Sequence, residues 1–85
     1  MSLPSRRVVL YERADCHLCE EARVLLDEML GPDRYECVDV DTDDELVLRY
    51  GFRVPVVVID GEDRLEAPIT APDIEALASE LAADG

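Results

Sequence analysis

The chain reads as a single α/β domain, a four-stranded mixed sheet with helices on both faces, in the order β-α-β-α-β-β-α. Three observations predict this. Apolar, β-branched runs alternate with amphipathic runs of helical period. Cys16-His17-Leu18-Cys19 sits where the first strand hands over to the first helix. Turn residues Asp60-Gly61-Glu62-Asp63 join the last two strands as an antiparallel hairpin.

Each element has its own signal. Residues 1–5 are read as a loose tail. Residues 7–11 form a nearly continuous apolar strand, expected to be buried on both faces and parallel to its neighbour. The first helix spans 16–30, with Leu18, Ala22, Leu25, Leu26 and Met29 on one stripe. Gly31-Pro32 stops it. A second strand covers 35–40, expected to be central, with Cys37 as a small buried hydrophobe. Thr42-Asp43-Asp44-Glu45 is a capping box with Thr42 as N-cap, opening a short helix that ends at Gly51. The third strand covers 54–59 and a returning strand 64–66. Thr70-Ala71-Pro72-Asp73 starts the last helix, whose buried stripe is Ile74, Leu77, Ala78 and Leu81. Two parallel crossovers followed by a hairpin and a covering helix are expected.

Size and charge narrow the function. A chain of 85 residues holds one small domain, here residues 1–85 with a core over about 7–82. Its 21 acidic and 8 basic residues leave a net charge of −13. A field of that sign repels phosphate backbones and anionic lipids, so neither nucleic acid nor a membrane surface is expected as a partner. All basic residues are Arg, which is read as a mark of a GC-rich genome. Three cysteines are too few for a secreted disulfide scaffold. No apolar run spans a bilayer, and the one after Arg6-Arg7 is too short for a signal-peptide core. A cytoplasmic monomer is expected.

The chemistry centres on Cys16 and Cys19. Thiols at i and i+3 on a helix start share one face and lie close enough to close a small disulfide ring. A helix N-terminus favours a thiolate at the first position. Cys16 is therefore read as the attacking sulfur and Cys19, one turn in, as the resolving one. Two structural thiols or half of a metal site are the alternatives. A closed zinc site needs four ligands, and the chain offers only Cys16, Cys19 and at most His17; no metal is expected. A His17 imidazolium would favour the thiolate, against the plainer reading of an exposed side chain without a role.

These residues, with Tyr50-Gly51 ending the second helix and Arg53-Val54-Pro55 opening the third strand, resemble the glutaredoxin-like branch of the thioredoxin fold. The resemblance covers about residues 7–82 and implies a thiol–disulfide oxidoreductase. It implies a cis bond at Val54–Pro55, with Pro55 packed against the active-site disulfide and the Val54 backbone free to pair with an incoming peptide or glutathione. It implies that Arg13, three before Cys16, supports the thiolate, with the adjacent Asp15 opposing it. Asp73 matches a position near the γ-glutamyl end of glutathione, though capping the last helix also explains it. Arg53 reads either as a carboxylate clamp or as the partner of one of the chain's own acids.

Three departures stand out. His17-Leu18 replaces the usual Pro-Tyr, Arg53 replaces Thr or Ser before Val-Pro, and Ile69-Thr70 replaces a glycine pair that lets glutathione approach the backbone. Weak glutathione binding is therefore expected. No bound cofactor is expected, and glutathione or another small thiol would be a co-substrate. Partners would be disulfide-bearing proteins or low-molecular-weight thiols. Two other classes remain open: an iron–sulfur or metal carrier using Cys16 at a dimer interface, and a non-enzymatic acidic interaction domain.

Overall fold

A computed structural model describes residues 6–84; the tail expected over 1–5 lies outside them. Strands β1 (Val8–Glu12), β2 (Glu36–Asp39), β3 (Val56–Ile59) and β4 (Glu62–Glu66) form one sheet in the order β2-β1-β3-β4. Helices α1 (His17–Met29), α2 (Asp44–Tyr50) and α3 (Ala71–Asp84) connect or follow them. Short 3₁₀ turns at Pro32–Arg34 and Val40–Thr42 flank β2.

Alternation along β3 divides the core in two. Val57 and Ile59 join Val8 and Leu10 of β1, and pack on Ala22 and Leu26 of α1 and on Ile74 and Leu77 of α3. Val56 and Val58 point the other way, to Val40 and Tyr50. Successive strand residues face opposite sides, so α1 and α3 cover one face and α2 the other. Ala78 and Leu81 of the expected α3 stripe are only half-buried.

The crossovers differ from expectation. β1 and β2 are parallel, but β3 runs antiparallel to β1. Seven-residue α2 is only about 10 Å long, too short to carry the chain back along the sheet. The chain therefore re-enters at the carboxyl end of β2 and descends. A second correction concerns Cys37. β2 is an edge strand, not a central one, and Cys37 is exposed.

The helix caps also shift. Asp43, not Thr42, caps α2, its carboxylate accepting from the Glu45 N–H at 2.8 Å. Thr42 instead closes the preceding 3₁₀ turn and donates its hydroxyl to the Asp39 carbonyl at 2.7 Å. Only two residues make the β3–β4 turn, so β4 starts earlier than expected. Asp60 and Gly61 both have positive φ, 51° and 83°, the conformation that suits the twist of a two-residue hairpin. Asp60 also accepts from the Arg7 N–H at 2.9 Å, tying the turn to the start of β1. The register slips between Val57 and Val58, which pair with Leu65 and Asp63.

Candidate functional site

Cys16 is the N-cap of α1. Its backbone is extended (φ −105°, ψ 106°) and its carbonyl accepts the first helical hydrogen bond, from the Glu20 N–H at 3.1 Å. Its sulfur accepts from the Cys19 N–H at 3.2 Å. The Cys16 sulfur thus takes the role that a Ser or Asp oxygen usually plays at a helix start. A disulfide joins Cys16 to Cys19, with Cα atoms 5.2 Å apart, inside the usual span for the bond. Cys16 is half-buried, whereas Cys19 is 1% exposed. The first sulfur is reachable and the second is sheltered. Asp15, just before the cap, has a φ of 57°.

His17 lies on the open side of the helix, its side chain 85% exposed, with Nε2 3.9 Å from the Glu21 carboxylate. The Arg13 guanidinium is committed elsewhere. It meets Asp41 at 2.8 Å and donates to the Gly51 carbonyl at 3.2 Å, joining the end of β1 to the loop after α2.

That loop leads into Val54–Pro55, a cis bond. Pro55 is buried and precedes the first ladder residue of β3. Arg53 spans from α2 to β4. It meets Asp63 at 2.8 Å and Glu66 at 3.4 Å, donates to the Arg49 carbonyl, and lies over the Tyr50 ring at 5.5 Å. Tyr50 stacks on Tyr11 with centroids 4.4 Å apart and donates its hydroxyl to Asp63 at 3.2 Å. Hydrogen bonding from Arg53 holds the Asp63 carboxyl below its ordinary range, and the Tyr50 hydroxyl adds to this.

Thr70 and Asp73 are engaged with each other. The Asp73 carboxylate accepts from the Thr70 N–H at 3.0 Å and from its hydroxyl at 2.9 Å. This is the reciprocal half of a capping box at the start of α3. Ala67–Pro68, just before it, is a second cis bond. The pairing of Arg13 with Asp41, of Arg53 with Asp63, and of Tyr50 with Asp63 is not marked in the sequence. These bonds join residues 10 to 28 positions apart, and no local pattern marks such pairs.

Cys37 stands apart from the pair. Although the residue is exposed, its thiol is pushed up first by partial desolvation of the sulfur and then by the Glu12 carboxylate. Among the described residues, no three His, Cys, Asp or Glu side chains gather where they could hold a metal ion. No helix among them is long and apolar enough to cross a membrane.

Comparison with known proteins agrees with this architecture. The profile of the glutaredoxin-like domain family (DUF836) matches residues 7–81. A structural-genomics target from X. campestris is 34% identical, with a TM-score of 0.74 over 86% of this chain and 96% of its own. Protein Ne2328 from Nitrosomonas europaea is 28% identical, with a TM-score of 0.64 over 91% and 95%. Oxidised glutaredoxin 2 from Chlamydomonas reinhardtii is 22% identical, with a TM-score of 0.60 over 94% and 82%, a likeness of fold. No curated protein matches the sequence.

Proposed function

The chain belongs to the glutaredoxin-like domain family, and on that premise we propose that it is a thiol–disulfide oxidoreductase acting through Cys16 and Cys19. One observation carries the reading: a half-buried cysteine caps a helix while its disulfide partner is sheltered one turn in. Positive charge at a helix N-terminus favours the anion, and a thiolate is the attacking form. The Cys16 thiolate attacks one sulfur of a partner disulfide, forming a mixed disulfide and releasing the partner's first thiolate, which takes a proton. Cys19 then loses its proton and attacks Cys16 Sγ, closing the intramolecular bond and releasing the second partner thiol. Two electrons pass to the partner. Two thiols of a reductant, glutathione or another small thiol, return them and leave as a disulfide.

We further propose that glutathione is held weakly. Arg53 is paired with Asp63 and Glu66, and the Asp73 carboxylate is occupied by Thr70. The two side chains read as candidates for glutathione are thus engaged by the chain itself, and the Val54 N–H, expected to be free, donates to the Tyr50 carbonyl at 3.0 Å. A net charge of −13 adds repulsion toward an anionic tripeptide. The setting we propose is the cytoplasm, where thiols are kept reduced.

The test is reduction of a protein disulfide by the reduced protein, with Cys19→Ser used to trap the mixed disulfide. The expected result is a covalent adduct on Cys16 alone, with turnover abolished by Cys16→Ala. Unchanged turnover in Cys16→Ala would end the proposal. A reduction potential measured against glutathione would then identify the direction of electron flow.

A further inference from the structure

Among the described residues, α1 leaves two large apolar side chains open to water, Leu18, 46% exposed, and Val24, 54% exposed. With Glu21 and Leu25 they line a groove of about 480 Å³ whose far wall is Pro68 and Ile69. That volume falls within the range of sites that hold small ligands, about 300–1,000 Å³. The cis bond at Ala67–Pro68 sits on the far wall, directly before α3. Ile69 also packs against the main core cluster, so this wall is anchored to the sheet's α1/α3 side.

The groove begins within the Cys16–Cys19 segment. Leu18 lies between Cys16 and Cys19 in the chain and is also a groove wall. Leu18 is two residues from Cys16 and exposed, so it is within reach of residues that flank a disulfide held at Cys16 Sγ. The rim is acidic. Glu21 lines the groove and lies 3.9 Å from exposed His17.

Resting on the redox reading above, we propose that this groove is a side-chain subsite selecting protein disulfides whose attacked cysteine is flanked by a large aliphatic residue and a Lys or Arg. The apolar walls take the aliphatic side chain, and burying it there removes exposed Leu18 and Val24 surface from water. Glu21 pairs with the cation. Glutathione offers neither group: it is anionic and carries no large apolar side chain. The groove therefore distinguishes peptide-borne disulfides from the small thiol that regenerates the enzyme.

The experiment uses two peptides, each with one cysteine capped as a mixed disulfide with 5-thio-2-nitrobenzoate. One has Leu and Lys beside the cysteine, the other Ala and Glu. Stopped-flow release of the yellow thiolate from the reduced protein gives two second-order rate constants, and their ratio is the readout. Taking the ratio cancels any change in the intrinsic reactivity of Cys16. The wild type should favour the Leu/Lys peptide by about tenfold, from partial burial of one aliphatic side chain plus one ion pair. Val24→Ser should lower the ratio, and Glu21→Arg should lower it further by repelling the Lys. High salt should weaken the charge component while leaving the apolar one. A wild-type ratio near one, or a ratio unmoved in both variants, overturns the subsite. Failure of the wild type to react with either peptide overturns the redox reading beneath it, and is thereby told apart.

Discussion

Helix α1 starts on a cysteine, and the cost of removing that cap can be separated from the loss of the disulfide. The comparison is Cys16→Ser against Cys16→Ala, both kept reduced so that Cys19 and Cys37 remain thiols. Each variant lacks the disulfide and the nucleophile. They differ in one acceptor, the atom that takes the Cys19 N–H now 3.2 Å from Sγ. A serine oxygen can accept that bond and an alanine methyl cannot, which at an N-cap costs about 1 kcal/mol, within a range of about 0.5–2. For a domain of this size, ~1 kcal/mol shifts Tm by about 4–8 °C. The loss reaches the core because α1 carries buried Cys19, Ala22 and Leu26. Thermal unfolding followed by circular dichroism should therefore place Cys16→Ala about 4–8 °C below Cys16→Ser. Urea unfolding should give a lower midpoint with the same m-value. Equal midpoints, or a more stable alanine variant, would refute the claim that this side chain caps the helix, and with it the electrostatic argument for Cys16 as the attacking sulfur.

Leu26 is fully buried between the sheet and α3, so Leu26→Ala should lose about 2–5 kcal/mol in urea unfolding. Iodoacetamide added to the reduced protein near neutral pH should label Cys16 first. Peptide mass analysis should find Cys19 protected by burial, and Cys37 slower because its thiol is pushed up. Acid should weaken the fold in a definite window. Asp60, held low by the Arg7 N–H and Arg6, Asp63, held low by Arg53, and Glu80, held low by Arg64, stay ionised in the folded state to lower pH than in the unfolded chain. Their contribution is thus complete above about pH 5 and is lost as pH falls from about 4 through the folded values. Asp63→Asn should melt below the wild type at pH 7, by no more than about 1 kcal/mol for so exposed a pair. The gap should close below about pH 3, as measured by Tm against pH.

The order of elements was legible because periodicity and turn chemistry are local. The 13-residue α1, the Asp60-Gly61 turn and the Thr70–Asp73 cap each announce themselves within a few residues. Strand direction was not legible. The Val-rich run of β3 reads the same parallel or antiparallel, and only the brevity of α2 hints at the reversal. Cys37 was misplaced for a related reason: alternation in β2 says which residues share a face, but not whether a further strand covers its edge. At the site, the cysteine pair stood out from spacing alone. The engagement of Arg13 by Asp41 and of Arg53 by Asp63 did not, because the choice among 21 acids is made by the fold. The groove beside Leu18 was equally hidden, since its far wall comes from residues some 50 positions along the chain.

The sheet has two outer strands, and both carry acids. β2 presents Glu36 and Asp39, and β4 presents Glu62, Asp63 and Glu66. An outer strand offers unpaired N–H and C=O groups to any neighbouring strand, and natural proteins guard such rims with charge. This chain has no lysine for the task and uses carboxylates. Two copies approaching rim to rim would set like charges opposite one another, which disfavours pairing. The surplus negative charge thus acts as a colloidal safeguard as well as a filter on partners. It is conditional on ionic strength: salt screens exposed charges, so the barrier to strand-by-strand aggregation falls as salt rises while the sheet itself stays intact.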